Sequence, residues 1–266
     1  MRIATFNVNG IKARAQIVAD WLRDSAPDIA LLQELKSVDE AVPREVFEDA
    51  GYNLQTHGQK GFNGVAIAAK HPIEDVRRGL PGAEGAGREG ADDEEARWIE
   101  ATVVGDVAVR VCALYLPNGN PAPGPKYDYK LRWMERMRLR ADELLSTEEA
   151  VVMGGDYNVI PQRIDVARPE VMEDDALFRP ETREAFRRIE NMGYFDAFRL
   201  REPGPGHYSY WDYQRGAFDR NEGLRIDHHL LSPQAADLLA GAWIETAPRA
   251  KAKPSDHTPV WIELGA

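Results

Sequence analysis

The sequence predicts an α/β protein in which two packed β-sheets are covered on their outer faces by helices. Short apolar runs typical of buried strands occur in both halves of the 266-residue chain. Amphipathic helical segments are interleaved with these runs, and one pair of strands is separated by a tight hairpin signal. Because a hairpin requires antiparallel pairing, the pattern favours a layered sandwich over a purely parallel, doubly wound sheet.

The first half of the chain opens with a strand, a polar turn that contains glycine, and a helix. The helix is predicted over residues 11–24, where Val18, Trp21 and Leu22 fall on one face. A continuous apolar run at 29–32 predicts a strand buried on both faces, and it stops at the polar pair Gln33-Glu34. Further strands are predicted at 52–57 and 65–69.

A hairpin follows a segment that has no periodicity. Residues 79–96 are rich in glycine and acid and predict a mobile surface loop. Strands are then predicted at 98–104 and 107–116, joined by a two-residue turn at Gly105-Asp106. The remaining predicted elements are helices at 126–145 and 181–192 and strands at 150–153, 225–231 and 259–264.

Composition predicts one globular domain over residues 1–266, because 43% hydrophobic residues suffice for a sizeable core. The chain shows no signal-peptide pattern and no apolar run of about 18 residues, so we expect a cytoplasmic protein without membrane contact. Its single cysteine, Cys112, fits a buried structural thiol in a reducing compartment. The net charge of −11 opposes nucleic-acid binding through the overall field, so any such binding must use local patches.

Polar residues of similar type end five predicted strands. Singly, each of them is explained as well by a turn, a helix cap or a surface charge; together they form a set of hard oxygen donors that suits Mg²⁺ or Mn²⁺. Glu34 is the best metal ligand among them, and the Asp256-His257 pair suits metal-assisted phosphoester hydrolysis. The set comprises Asn7, Glu34, Asp156 with Asn158, Asp227, and Asp256 with His257.

Six ordered motifs carry a family resemblance. They are FNVNG (6–10), LQE (32–34), YLPN (115–118), GDYN (155–158), GLRID (223–227) and SDH (255–257). In order and spacing they resemble the exonuclease III family of abasic-site DNA endonucleases, across nearly the whole chain. The segments HGQKG (57–61) and YSYWDY (208–213) agree with the same family.

The resemblance implies a DNase I-like fold, a four-layer αββα sandwich with the active site at one end of the sheets. It implies that Glu34 is the principal metal ligand, assisted by Asn7, with Asn9 and Asp256 nearby. Members often carry Asp at the position of Asn9, so a second metal subsite should be weak here. The resemblance implies that Asp156, oriented by Asn158, positions and deprotonates the attacking water. It implies that Asp227 fixes His257 for transition-state stabilisation and that Tyr115 and Asn118 contact the scissile phosphate.

Substrate selection is expected from residues 207–225, which mix aromatic rings with arginines. Aromatic residues can line a pocket for a flipped baseless sugar, while cations hold the flanking phosphates; the alternative is an aromatic cluster buried under a long loop. The expected partner is double-stranded DNA with abasic sites or blocked 3′ ends, bound by a monomer. The predicted DNA-binding residues are Lys60, Arg97, Lys126, Tyr210, Trp211, Arg215 and Arg225.

Two other functions stay open at the level of sequence. A small-molecule or lipid-headgroup phosphoesterase, such as an inositol-phosphate or sphingomyelin-type hydrolase, would share the sandwich and the Asp-His ending. A catalytically silent nucleic-acid binder belongs to a different class, and the retained charged cluster argues against it. The glycine-rich acidic segment would repel DNA in a groove, so we expect it to point away; a large loss of DNA affinity on deleting 85–90 would contradict this.

Overall fold

The computed structural model describes residues 1–81 and 95–265 and contains two six-stranded mixed sheets. The first sheet has the order β11-β12-β1-β2-β4-β3, with β1 Arg2–Asn7, β2 Ile29–Gln33, β3 Asn53–His57, β4 Val65–Ala69, β11 Leu239–Ile244 and β12 Val260–Leu264. The second has the order β5-β6-β7-β8-β10-β9, with β5 Ile73–Arg78, β6 Trp98–Val104, β7 Ala108–Tyr115, β8 Val151–Asp156, β9 Phe195–Asp196 and β10 Asp227–Leu231. The α-helices are α1 Ile11–Asp24, α2 Glu45–Glu48, α3 Pro125–Leu145, α4 Pro180–Glu190, α5 Ala197–Arg201 and α6 Pro233–Asp237.

Three apolar cores lie between four layers. The inner faces of the two sheets meet in one core that includes Ile29, Ile67 and Val111. The outer face of the first sheet packs under α1, and the outer face of the second packs under α3 and α4. The predicted α/β sandwich of two mixed sheets with outer helices is therefore confirmed.

The helices form where the sequence places an apolar stripe at helical spacing. In α1 the buried residues Val18, Trp21 and Leu22 recur at three- and four-residue intervals and face the first sheet. In α3 the same spacing buries Trp133 and Met137 against the second sheet, and Pro125 occupies the first turn, where no backbone donor is needed. Apolar burial on one face holds each helix on its sheet.

One end of the two sheets collects the polar strand ends. The parallel pairs β1–β2 and β7–β8 both finish there, which places Asn7, Tyr115 and Asp156 at the same edge. Strands β10 and β12 run antiparallel to β8 and β1, so their beginnings reach that edge too. As a result Asp227 pairs in register with Asp156, and His257 lies just before β12.

Several predicted boundaries were wrong. Strand β8 continues through two glycines to Asp156 instead of ending at Met153. Strand β8 approaches β7 so closely here that a Cβ at Gly155 would lie 2.0 Å from the carbonyl oxygen of Leu114. Only glycine, which has no Cβ, fits at this position of the strand. The hairpin turn has three residues, since Val104 pairs with Ala108, and β10 begins at Asp227.

Two further predictions concern surfaces. Among the described residues, no helix is long and apolar enough to span a bilayer. The predicted mobile loop at 79–96 falls largely on residues 82–94, which lie outside the described part of the chain.

Candidate active site

Three ionisable groups converge at the polar end of the sheets. Ligand atoms of Glu34, Asp156 and His257 all lie within 4.8 Å of one another. They line a cavity of about 470 Å³, to which Asp256 also contributes. The structure thus brings together side chains that are up to 223 positions apart in the sequence, from Glu34 to His257.

Asp156 is held at the centre of this cluster. One carboxylate oxygen accepts a 2.9 Å hydrogen bond from the backbone N–H of Asn158, and the other accepts a 3.0 Å bond from the side-chain amide of Asn7. Burial raises the pKa of Asp156 to about 7; the charge of His257 opposes the increase, and Asp227 adds to it. A carboxylate whose pKa is raised toward neutrality is a suitable proton acceptor for water.

His257 is fixed by a chain of hydrogen bonds. Its Nδ1 lies 2.8 Å from Oδ2 of Asp227, which also accepts a 2.6 Å bond from the hydroxyl of Ser209. Burial alone would lower the pKa of His257, but the carboxylates of Asp227 and Asp156 outweigh burial and hold the pKa well above its usual value. The imidazolium form is therefore favoured, with Nε2 3.7 Å from Asp156.

Glu34 has a cationic neighbour that sequence reasoning missed. The ammonium of Lys36 lies 2.7 Å from the Glu34 carboxylate and donates a 2.6 Å hydrogen bond to Oδ1 of Asn9. Burial would raise the pKa of Glu34, but bonds from Lys36 and Asn7 outweigh it and lower the pKa. Asn9 in turn donates a 2.9 Å bond to Asp256. The position of Lys36 two residues after Glu34 was the only available signal.

Three neutral donors complete the site. The amide of Asn118 donates to Oδ1 of Asn158 at 3.1 Å, and Asn158 donates to the carbonyl of Leu116 at 2.9 Å. The phenol of Tyr115 has a pKa well above its usual value, because it is buried and faces Glu34 and Asp156, so it remains a donor. All the predicted catalytic residues line this cavity except Asp227, which is hydrogen-bonded to His257.

The donor set fits a hard divalent cation, since Glu34 and Asp156 supply two carboxylates. Asn7, another predicted metal residue, contacts both carboxylates. Its Nδ2 points at both carboxylates, at 2.8 Å from Glu34 and 3.0 Å from Asp156, while its Oδ1 accepts from the backbone of Asn9. In this arrangement Asn7 orients the carboxylates.

Four apolar or aromatic side chains also line the cavity. We call this surface the apolar wall; it consists of Leu177, Tyr210, Leu224 and Ile226. The ring of Tyr210 stands edge-on to His257, with centroids 5.0 Å apart. Trp211 points the other way, is buried at 2% exposure and hydrogen-bonds Asn221, so its predicted contact with DNA was wrong.

Arg225 was also predicted wrongly as a DNA contact. Its guanidinium is fully buried and pairs with Asp165 at 2.6 Å and with Asp196 at 2.7 Å. It also lies 2.9 Å from Nδ1 of His228. An arginine whose donors are spent on two buried carboxylates cannot reach a phosphate, and its role is to hold the chain that leads into Asp227.

The other predicted cations are more accessible. Lys60, Lys126 and Arg215 are exposed, and Arg215 lines a second cavity of about 290 Å³ that shares Leu224 with the first. Arg97 is only partly exposed, and its guanidinium pairs with Glu95 and lies 5.0 Å from the ring centroid of Tyr115. Two surface features were missed, namely Phe62, which is 72% exposed, and Arg168 beside the second cavity.

Comparison with known proteins agrees with this architecture. Residues 4–257 match the Endonuclease/Exonuclease/phosphatase family. The chain is 32% identical over 277 residues to the exodeoxyribonuclease III of Haemophilus influenzae, covering 99% of this chain and 100% of the relative. Its structure resembles an AP endonuclease from Archaeoglobus fulgidus with a TM-score of 0.92, at 34% identity and with 100% of both chains covered.

A second solved structure is similar over its full length. It is a 3′ phosphatase from Neisseria bound to product DNA hairpin, with a TM-score of 0.91, 34% identity and 100% of both chains covered. The chain therefore belongs to the endonuclease/exonuclease/phosphatase family and, within it, to the exonuclease III family of DNA repair nucleases.

Proposed function

We propose that this nuclease hydrolyses the phosphodiester bond 5′ to abasic sites in double-stranded DNA. We propose in addition 3′–5′ exonuclease and 3′-phosphatase or phosphodiesterase activity on blocked 3′ ends. The observation that carries the proposal is that a single cavity of about 470 Å³ is lined both by the charged cluster and by the apolar wall. A phosphate can meet the charged groups while a sugar without its base meets the wall.

The proposed roles follow from the contacts. Asp156, with its raised pKa, accepts the proton of the attacking water, and Asn158 holds that carboxylate through its backbone N–H. His257 is kept cationic by Asp227 and donates to the charge that develops on the phosphoryl oxygens. Tyr115 and Asn118 supply neutral donors to the scissile phosphate.

A bound Mg²⁺ or Mn²⁺ would supply Lewis-acid stabilisation of the phosphoryl oxygens. Glu34 is the proposed principal ligand, with Asp256 and Asn9 at the rim of the same site and Asn7 orienting Glu34. The ammonium of Lys36 balances the Glu34 charge in the protein alone. Because Asn9 is an amide, we propose that one ion binds tightly and a second binds weakly.

The proposed DNA surface consists of exposed cations and one exposed aromatic ring. Lys60 and Lys126 offer exposed ammonium groups, and Arg215 lies beyond Leu224 on the apolar wall. Their positive charge would contact phosphates without reading sequence. Phe62 offers an exposed ring next to Lys60 that can pack on a base or sugar. Tyr210 lines the sugar pocket, and the Arg97 contact with DNA stays a prediction.

We further propose that the protein acts as one domain and as a monomer, and that its location is cytoplasmic.

Two other functions make different predictions: a small-molecule or lipid-headgroup phosphoesterase would act on inositol phosphates or sphingomyelin, and a silent binder would bind DNA without cutting it. The apolar wall favours a sugar substrate over an inositol phosphate, and the charged cluster in the same cavity argues against a silent binder.

A substrate panel separates these functions. The protein would be assayed with a duplex carrying one tetrahydrofuran abasic analogue, a duplex with a 3′-phosphate end, inositol trisphosphate and sphingomyelin, each with Mg²⁺, Mn²⁺ or EDTA. We expect metal-dependent cleavage of the two DNA substrates and none of the others. Cleavage of only the small molecules, or DNA binding without cleavage in every metal, would reject the proposal.

A further inference from the structure

Lys130, on the inner face of α3, is a lysine with no exposed surface. Its ammonium donates three hydrogen bonds, to the carbonyls of Pro117 at 3.0 Å, Asn118 at 3.2 Å and Asn158 at 2.6 Å. An ammonium has three protons, so every donor is used. Burial lowers the pKa of Lys130 to about 7, and the negative charges of Asp156 and Asp175 act in the opposite direction.

The three carbonyls belong to two separate segments that carry proposed catalytic amides. Asn118 follows strand β7, and Asn158 follows strand β8. The two side chains are joined by the 3.1 Å hydrogen bond from Asn118 to Asn158. The two backbones are joined by Nζ of Lys130, which lies on a 21-residue helix. The relative position of the amides is therefore fixed by two sets of contacts.

The turn after Asn118 is built closely around the lysine stem. Gly119 has φ +89°, and a Cβ at this position would lie 2.6 Å from Cδ of Lys130. Both the backbone conformation and the space therefore require glycine. This contact is independent of the hydrogen bonds and shows that the segment packs against the aliphatic stem of the side chain.

Stability alone is a poor reason for a buried lysine. Burying an ammonium is costly, and an apolar side chain of similar length is often as stabilising at such a place. Hydrogen bonds to an ammonium, however, fix carbonyl groups in a way that an apolar chain cannot. The geometry therefore points to a role in placing the two segments.

We propose that Lys130 is a positioning residue that sets the placement of Asn118 and Asn158 relative to Asp156. The inference rests on the proposed catalytic roles of these asparagines. The backbone N–H of Asn158 binds Asp156 directly, so a shift of this segment moves the carboxylate that accepts the water proton. Misplacement of a reacting group by about 1 Å costs roughly 100-fold in rate.

The first test compares Lys130→Met with the wild type on the abasic-analogue duplex. We expect kcat to fall about 100-fold, because positioning is lost, while KM changes by less than about threefold, because the DNA surface is intact. The matched control is Lys70→Met, which removes a lysine that bonds Ala26 and is far from the cavity; it should keep wild-type kcat. An unchanged kcat in folded Lys130→Met, or a rise in KM alone, would overturn the inference.

A double-mutant cycle then tests whether Lys130 acts through the asparagines. If it does, Lys130→Met should cost much less kcat in an Asn118→Ala background than in the wild type. Full multiplication of the two losses would show that Lys130 acts independently and would reject positioning.

Should Lys130→Met not fold, Gly119→Ala displaces the lysine without removing it. That variant should show the same loss confined to kcat, and normal kcat in it would also reject the inference.

The same data separate this inference from the proposed function. Wild-type kcat in Asn118→Ala and Asn158→Ala would reject the proposed roles of the asparagines, and the inference with them. Reduced kcat in those two variants, together with normal kcat in Lys130→Met, would reject the inference alone.

Discussion

Two residues of the site, Asp227 and Glu34, are held by partners that the sequence did not single out. The carboxylate of Asp227 accepts a hydrogen bond from the hydroxyl of Ser209. That hydroxyl in turn accepts hydrogen bonds from the backbone N–H groups of Ile226 and Asp227, both at 3.1 Å. The carboxylate of Glu34 forms an ion pair with the ammonium of Lys36. The motifs predicted which residues meet, because strand ends that share an edge must lie together. They did not predict the partners, since a serine or lysine beside a motif has many equally ordinary positions.

The first prediction concerns the support of His257. Asp227→Asn removes the carboxylate that favours the imidazolium, so kcat should fall by about 100-fold or more, with KM little changed. Ser209→Ala leaves that carboxylate in place and removes one of its hydrogen bonds, so its loss should be clearly smaller. Steady-state kinetics on the abasic-analogue duplex measure both. Equal losses in the two variants, or no loss in Asp227→Asn, would contradict the proposed role of the pair.

Among the elements, the segment that leads into β10 shows how closely structural and functional residues are interleaved. Leu224 and Ile226 contribute to the apolar wall, while Arg225 between them turns into the protein and pairs with Asp165 and Asp196. Neighbouring residues of an extended segment point to opposite sides. From the composition of this segment, Arg225 was predicted to contact DNA. The alternation of side chains, which composition does not show, decides which cations of the segment reach the surface.

The second prediction follows from this alternation. Arg225→Met leaves two buried carboxylates without their partner and should lower the free energy of unfolding by about 3–5 kcal/mol. Arg215→Met, ten residues earlier and exposed, should leave stability nearly unchanged and weaken DNA binding at low salt. Urea denaturation and a DNA-binding titration measure the two effects. A stable Arg225→Met protein with weakened DNA binding would restore the original assignment of Arg225.

Element prediction succeeded where periodicity was strong and failed where it was weak. Helices α1 and α3 and the buried strand β4 were predicted within one residue, because their apolar spacing is unambiguous. Strand β5 was missed, since it lies at a sheet edge with no fully buried residue. Strand β8 was cut short because two glycines usually mark a turn, whereas here close approach to β7 requires Gly155.

At the scale of the whole molecule, several of the negative charges counted in the net total have partners within the fold. The net charge of −11 counts Glu34, Asp156, Asp227, Asp165 and Asp196, all of which have cationic or hydrogen-bonded partners in the fold. The exposed cations are therefore more relevant to DNA binding than the total. Sequence could supply the total but not this distribution.

Two buried histidines in β10 make stability depend on pH. Burial lowers the pKa of His228 and of His229 to about 4. Nε2 of His228 donates to the carbonyl of Val159, and Nδ1 accepts from Arg225, so a second proton would face a guanidinium. The unfolded chain binds that proton below about pH 6.5, whereas the folded protein resists it down to about pH 4. Stability must therefore fall as pH drops through this window.

The third prediction uses this difference. Wild-type protein in EDTA should lose about 2–3 kcal/mol of unfolding free energy through His228 alone between pH 7 and pH 4.5. In His228→Asn this contribution is absent, so the stability gap between variant and wild type should narrow at pH 4.5. Urea unfolding at both pH values measures the gap, and other titrating groups cancel in the comparison. A gap of constant size would show that His228 is not held neutral by the fold.

The most direct test of the proposed function is to map the cut in a 5′-labelled duplex that carries one tetrahydrofuran abasic analogue. With Mg²⁺, the wild-type protein should cleave the phosphodiester 5′ to the analogue and leave a 3′-hydroxyl end. Asp156→Asn, which keeps the shape of the side chain but cannot accept the water proton, should be slower by about 100-fold or more. Intact substrate with folded wild-type protein, or cleavage by Asp156→Asn at the wild-type rate, would contradict the account.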